Sequence, residues 1–155
     1  MNIYTVSFFG HRKSKITSDI EHKLNKLLEN IIKQNDFVEF IIGRDGEFDL
    51  FATSIIKQAI KKYSNGNTSL ILILPYMRSE YRNNIKNFLN YYDEIEICSK
   101  SANAYYKSAI QIRNKDMVDR SDLVICCIQH INGGAYKTIQ YAKKQNCKII
   151  NIAEE

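Results

Sequence analysis

The sequence predicts an α/β protein: a doubly wound, mainly parallel sheet flanked by helices. Three observations carry that reading. Short apolar, β-branched runs alternate with longer stretches whose apolar residues recur at helical spacing. One run, SLILILP at residues 69–75, shows no polar alternation, as a strand covered on both faces requires. The alternation also continues from end to end of the chain, and strands separated by helices pair through parallel crossovers. A length of 155 residues suits one compact domain.

The elements follow in order. IYTVSFF at residues 3–9 reads as a buried strand. Residues 16–35 form a helix with Ile20, Leu24, Leu27, Leu28 and Ile31 on one face, capped by Thr17 or Ser18. FVEFIIG at 37–43 is the second strand. The helix over 48–63 gathers Phe48, Phe51, Ala52, Ile55, Ile56, Ala59 and Ile60 on one face, and SNGN at 64–67 is a turn. Strand 69–75 ends at Pro75, the single proline. A polar helix over 78–93 precedes a short strand at 94–98. In the helix over 102–121, Ile110 and Met117 face inward. Arg113 either joins them or lies with Lys115 and Arg120 on a solvated face, paired with Asp116 and Asp119. LVICCI at 123–128 is a strand. A glycine-opened helix over 133–146, with Ala135, Ile139 and Ala142 on one face, leads to the last strand at 147–152.

Composition narrows the class. The net charge of +5 favours an anionic ligand but is not the mark of a dedicated nucleic-acid binder. None of the four cysteines forms a CxxC pair, and adjacent Cys126 and Cys127 should face opposite sides of their strand. They read as reduced, buried residues of a cytoplasmic protein. No metal-ligand spacing appears, and no cofactor is implied. The opening nine residues lack a basic segment and a cleavage site, so no signal peptide is expected. No apolar run approaches membrane length, so no membrane partner is expected.

In sheets of this kind, ligands bind outside the carboxyl ends of the strands. Three strand ends carry the relevant residues. The first is Gly10, His11 and Arg12, where a guanidinium suits a phosphate and His11 is placed to bond the same ligand or a sugar hydroxyl. The alternative is a charged surface turn. The second is GRDGEFD at 43–49, with Gly43, Arg44, Asp45, Gly46, Glu47 and Asp49. Gly46 permits close approach or a left-handed turn. One acid there is suited to ribose hydroxyls, and another to an oxocarbenium-like centre. At least one of the three acids is expected to cap the following helix instead, where its charge suits the dipole. The third is QHINGGAY at 129–136, where Gly133 and Gly134 let backbone amides approach a phosphate, with Ala135 and Tyr136 following. A plain loop-to-helix turn is the alternative.

Taken together, FFGHR, IIGRDGEFD and the segment from Arg113 to Ile152 resemble the SLOG superfamily. These are Rossmann-like proteins that include the Lonely Guy enzymes and the DNA-processing Smf proteins, and the chain is most like short bacterial members that begin with Gly-His-Arg. The resemblance covers nearly the whole chain, so residues 1–155 read as one SLOG-like nucleotide-binding domain. It implies a nucleotide site and a homodimer. Lonely Guy enzymes release the base from a nucleoside 5′-monophosphate, using motifs written RKxxM and PGGxGTxxE. Arg113 takes the arginine's place, and Gly133 and Gly134 match the glycine pair. Asn132, Tyr136 and Lys137 depart from the second motif, and Gln140 falls where the glutamate belongs. A glutamine cannot carry the charge that stabilises a developing cationic sugar, or accept a proton.

The first functional expectation is therefore a nucleotide-binding sensor or regulatory module. Its ligand would contact Gly10, His11, Arg12, Gly43, Arg44, Gly46, Gly133, Gly134, Ala135 and Tyr136. The second is an N-glycosidic hydrolase of nucleoside monophosphates, with Glu47 or Asp49 as a displaced carboxylate beside Arg113. Nucleic acid ranks last, because the basic residues are dispersed along the sequence and no aromatic-basic interleaving stands out.

Overall fold

The computed structural model describes residues 1–154. Its elements are β1 (Ile3–Gly10), α1 (Ser18–Gln34), β2 (Phe37–Ile42), α2 (Glu47–Tyr63), β3 (Thr68–Leu74) and α3 (Ser79–Asn83). There follow α4 (Ile85–Tyr91), β4 (Glu94–Ile97), α5 (Tyr106–Arg120), β5 (Leu123–Cys127), α6 (Gly134–Lys144) and β6 (Ile149–Asn151). The six strands form one sheet in the order β4-β3-β2-β1-β5-β6, and every neighbouring pair is parallel. This is the Rossmann-like α/β architecture the sequence predicts. The chain winds outward from β1 to β4, then returns to place β5 on the other side of β1. The switch point therefore lies between β1 and β5.

Strand alternation divides the core in two. Val6, Phe8, Phe40, Ile42, Leu70, Leu72 and Ile125 pack with α1 and α2 on one face. Ile41, Ile71, Ile73 and Val124 pack with Met117 and Val118 of α5 and Ile139 of α6 on the other. Cys127 and Cys126 fall on these two faces respectively, as their adjacency predicts, and all four cysteines are free. A fully buried Leu, Ile or Phe contributes about 1.5–3 kcal/mol. Leu24, Leu28 and Ile32 of α1 thus hold that helix to the sheet mainly by packing. Thr17 supplies its cap, with Oγ1 accepting from the Ile20 amide at 3.2 Å.

Four local expectations are revised. The helix over 78–93 is two short helices, broken at Asn84, whose side chain donates to the Glu80 carbonyl at 2.8 Å and competes with helical pairing. Helix α5 starts at Tyr106 rather than 102, because buried Ser101 donates to the Pro75 carbonyl at 2.5 Å and holds a turn there. Helix α6 buries Thr138, Ile139 and Ala142, while Ala135 stays half-exposed. The last strand is shorter, because Asn146 takes a left-handed conformation (φ 58°) at the end of α6. No helix among the described residues is long and apolar enough to cross a membrane.

Candidate functional site

The carboxyl ends of β1 and β2, the second and third turns of α5 and the first turn of α6 enclose a cleft of about 530 Å³. Its floor begins at Gly10, where any Cβ would run into the Phe48 ring; only glycine lets α2 start so close to the end of β1. His11 follows and is 5% exposed. Its Nε2 accepts from the backbone amides of Gln129 (3.0 Å) and His130 (3.3 Å). A nitrogen that accepts two amides carries no proton, so the ring is neutral with its hydrogen on Nδ1. Burial lowers the His11 pKa, and the neighbouring His130 lowers it further; the two rings stack 3.5 Å apart at 14°. The charged-turn alternative thus fails for His11, which ties the loop after β1 to the loop after β5. Gln129 repeats the tie, accepting from Lys15 N (2.9 Å) and donating to Lys15 O (2.7 Å).

Arg12 and Lys13 are different. Both are exposed and line the cleft. Among the described residues, neither has a carboxylate within ion-pair distance. The Arg12 backbone is fixed, because its carbonyl accepts from Glu47 N at 2.8 Å. A Cβ on Gly46 would lie 2.6 Å from Arg12 Cα, so close approach is what Gly46 permits there.

The wall after β2 is closed by its own charges. Arg113 is 3% exposed, and Nη2 meets Asp45 Oδ2 at 2.6 Å. Nη1 donates to the Ile73 carbonyl at 3.1 Å, while Nε and Nη2 reach Asn114 Oδ1 at 3.2 and 2.9 Å. Gly43 leaves room for it, since a Cβ there would sit 2.9 Å from Nη1. The solvated-face reading of this helix is therefore corrected. Arg113 is buried, Arg120 pairs with Glu39 and Glu96, and Asp116 pairs with Lys100. Asp49 accepts from Asp45 N at 3.1 Å. The residue keeps some exposed surface, yet its carboxyl is desolvated, and this raises its pKa from 3.8 to about 6. Gly46, not an acid, is the cap residue of α2; Glu47 and Asp49 lie in the first turn, where they complement the dipole.

At the third strand end, Gly133 has φ 91°, a conformation that favours glycine, and Gly134 opens α6. The Gly134 carbonyl accepts from the Gln111 side chain at 2.9 Å. The fold thus brings Gly10, His11, Arg12, Gly43, Gly46, Asp49, Arg113, Gly133, Gly134 and Ala135 to one cleft. Three sequence candidates lie off it. Arg44 pairs with Glu80 at 3.2 Å and sits over the Phe88 ring. Glu47 is exposed and accepts from Ser14 N at 3.1 Å. Tyr136 is half-buried beyond the rim. Lys13, Gln111, Asn114 and His130 also line the cleft. A helical count from Arg113 reaches neither Gln111 nor Asn114 as a site residue, whereas the basic run after Gly10 does point to Lys13. No group of His, Cys, Asp and Glu among the described residues is placed to hold a metal ion.

Fold and cleft together define a Rossmann-like α/β protein with a basic site at its topological switch point. No protein-family model matches the chain, and no curated protein matches it. Among solved structures, it is similar to DNA processing protein A from Helicobacter pylori, a protein described for its single-stranded DNA binding mode. The TM-score is 0.62 at 16% identity, over 94% of this chain and 63% of that one. The chain thus spans less than two thirds of that protein's structure. This finding corrects two expectations. The nucleotide sensor and the nucleotide N-glycosidase give way, because the neighbour in fold is a single-stranded DNA binder. The ranking of nucleic acid as the least expected partner is overturned on the same ground. Of the two candidate carboxylates Asp49 lines the cleft and Glu47 lies outside it, and Arg113 is paired with Asp45.

Proposed function

We propose that this chain binds single-stranded nucleic acid, DNA in the first instance, along the carboxyl edge of its sheet, as a SLOG-like domain of the DNA-processing kind. The observation that carries the reading is the pair of exposed cations, Arg12 and Lys13, at a cleft whose other arginine is already satisfied. A phosphodiester presents single charges in series, and two adjacent unpaired cations match that spacing without enclosing a ligand. The α6 N-terminus at Gly134 adds backbone amides beside the same cleft. The likeness in fold to DNA processing protein A supports the reading.

The test is fluorescence anisotropy of a labelled oligothymidylate at low salt, followed by a salt titration. Binding is expected, with log affinity falling linearly against log salt. Two to three neutralised phosphates give a slope of about −1.4 to −2. No anisotropy change at low salt sinks the reading.

A further inference from the structure

Tyr105 and Tyr106 are 62% and 60% exposed, and their rings lie 5.1 Å apart in an edge-to-face pair. Two adjacent large rings left in water at one helix start need a reason, because tyrosine buries its body when it can. Their position supplies one. Helix α5 follows β4 in a parallel sheet, so its first turn stands at the same carboxyl edge as the cleft. Residues four apart on a helix are neighbours on one face, about 5–6 Å between Cβ atoms. Tyr106 therefore stands one turn above Ile110, and Lys107 one turn above Gln111, and both lower residues line the cleft.

The start of α5 thus adds an aromatic pair and a cation one turn above the α5 side of the cleft that Arg12 and Lys13 also line. An edge-to-face pair braces one ring against the other and leaves a π-face open. We propose that Tyr105 and Tyr106 form a stacking platform for an unpaired base of the strand whose phosphates lie in the cleft. This rests on the strand-binding reading above and adds what that reading lacks, a reason to prefer single strands. Every base has a π-face, so the platform tolerates any sequence. A duplex keeps its bases stacked on each other and offers it nothing. The occupant is a nucleic-acid base and not a second copy of this chain, because Lys107 adjoins the pair in sequence, Arg12 and Lys13 line the cleft one turn below, and such cations favour an anionic strand over a like-charged copy.

The experiment compares a labelled oligothymidylate with an abasic deoxyribose-phosphate strand of the same length. Wild-type protein should bind the thymidylate about 5- to 150-fold tighter. The Tyr105→Ala, Tyr106→Ala double variant should bind both strands at the abasic level with an unchanged salt slope. The Tyr105→Phe, Tyr106→Phe variant should retain the discrimination. Equal wild-type affinity for the two strands overturns the platform while leaving the phosphate site standing. Undiminished discrimination in the alanine variant overturns it as well. So does sedimentation showing a wild-type dimer that the alanine variant dissociates, because the pair is then an interface. Wild-type protein that binds neither strand overturns the strand-binding reading itself, and the platform with it.

Discussion

The two walls of the cleft hold the same kinds of side chain and use them in opposite ways. On the wall after β2, Arg113 directs its donors to Asp45, Asn114 and the Ile73 carbonyl, and water is largely excluded. On the wall made by the loops after β1 and β5, His11 works as a neutral acceptor that joins the loops, and Arg12 and Lys13 face outward. The first wall is closed in charge and stabilises the fold. The second leaves its charge for something else. Residue type does not separate the two arginines; burial and the occupancy of their donors do.

The largest effect should come from breaking the closed wall. Arg113→Ala leaves Asp45 without its cation and the Ile73 carbonyl without a donor. Removing one partner of a buried pair costs about 3–5 kcal/mol. Asp45 keeps 17% exposure, so the lower end, about 3 kcal/mol, is expected in urea unfolding. Arg113→Met combined with Asp45→Asn should recover much of that loss, since no charge is then stranded. A loss below about 0.5 kcal/mol for Arg113→Ala, the range of ordinary surface substitutions, would show that the wall is not closed.

The walls should also answer pH in opposite senses. Desolvation raises the Asp49 pKa from 3.8 to about 6. Between those values the folded protein holds a proton that the unfolded chain has released. This group therefore favours the fold below about pH 4, and that contribution is lost as pH rises through about 6. His11 runs the other way: its folded pKa lies below 6.5, so its contribution is present above pH 6.5 and falls away on acidification. In wild type the two trends offset. Asp49→Asn should expose the histidine trend alone. It should also be more stable than wild type at pH 7, by up to about 3 kcal/mol at ~1.4 kcal/mol per unit, with the gain vanishing near pH 4. Urea midpoints between those limits decide it. A variant no more stable than wild type at pH 7 means the Asp49 carboxyl is solvated.

What the sequence reveals follows the same division. The apolar alternation of β1, β3 and β5 and the stripes of α1 and α2 locate the sheet and the site edge, because burial periodicity is a local property of sequence. Gly10, Gly43 and Gly46 are legible as close approaches, though not what they approach: Phe48, Arg113 and Arg12 are distant or unremarkable in sequence. The broken helix at Asn84 and the late start of α5 depend on single side-chain bonds that no periodicity records. Least legible is which cations stay free: Arg12, Lys13 and Arg113 all line the cleft, yet only folding pairs Arg113 with Asp45 and leaves Arg12 and Lys13 exposed.

The smallest effect on stability should come from the open wall, and it completes the contrast. Arg12→Ala removes an exposed guanidinium without a carboxylate partner among the described residues, and its backbone carbonyl still accepts from Glu47 N. Unfolding free energy should move by no more than about 0.5 kcal/mol. Single-strand affinity should fall at low salt, and the salt slope should flatten by about 0.7, because one phosphate is no longer neutralised. Arg12→Lys should keep the slope, since it keeps the charge, while losing the bidentate geometry of a guanidinium. Anisotropy titrations of the three proteins against one oligothymidylate read both quantities. If Arg12→Ala instead costs stability and spares binding, the open wall is structural too, and the cations that hold the strand lie elsewhere on the rim.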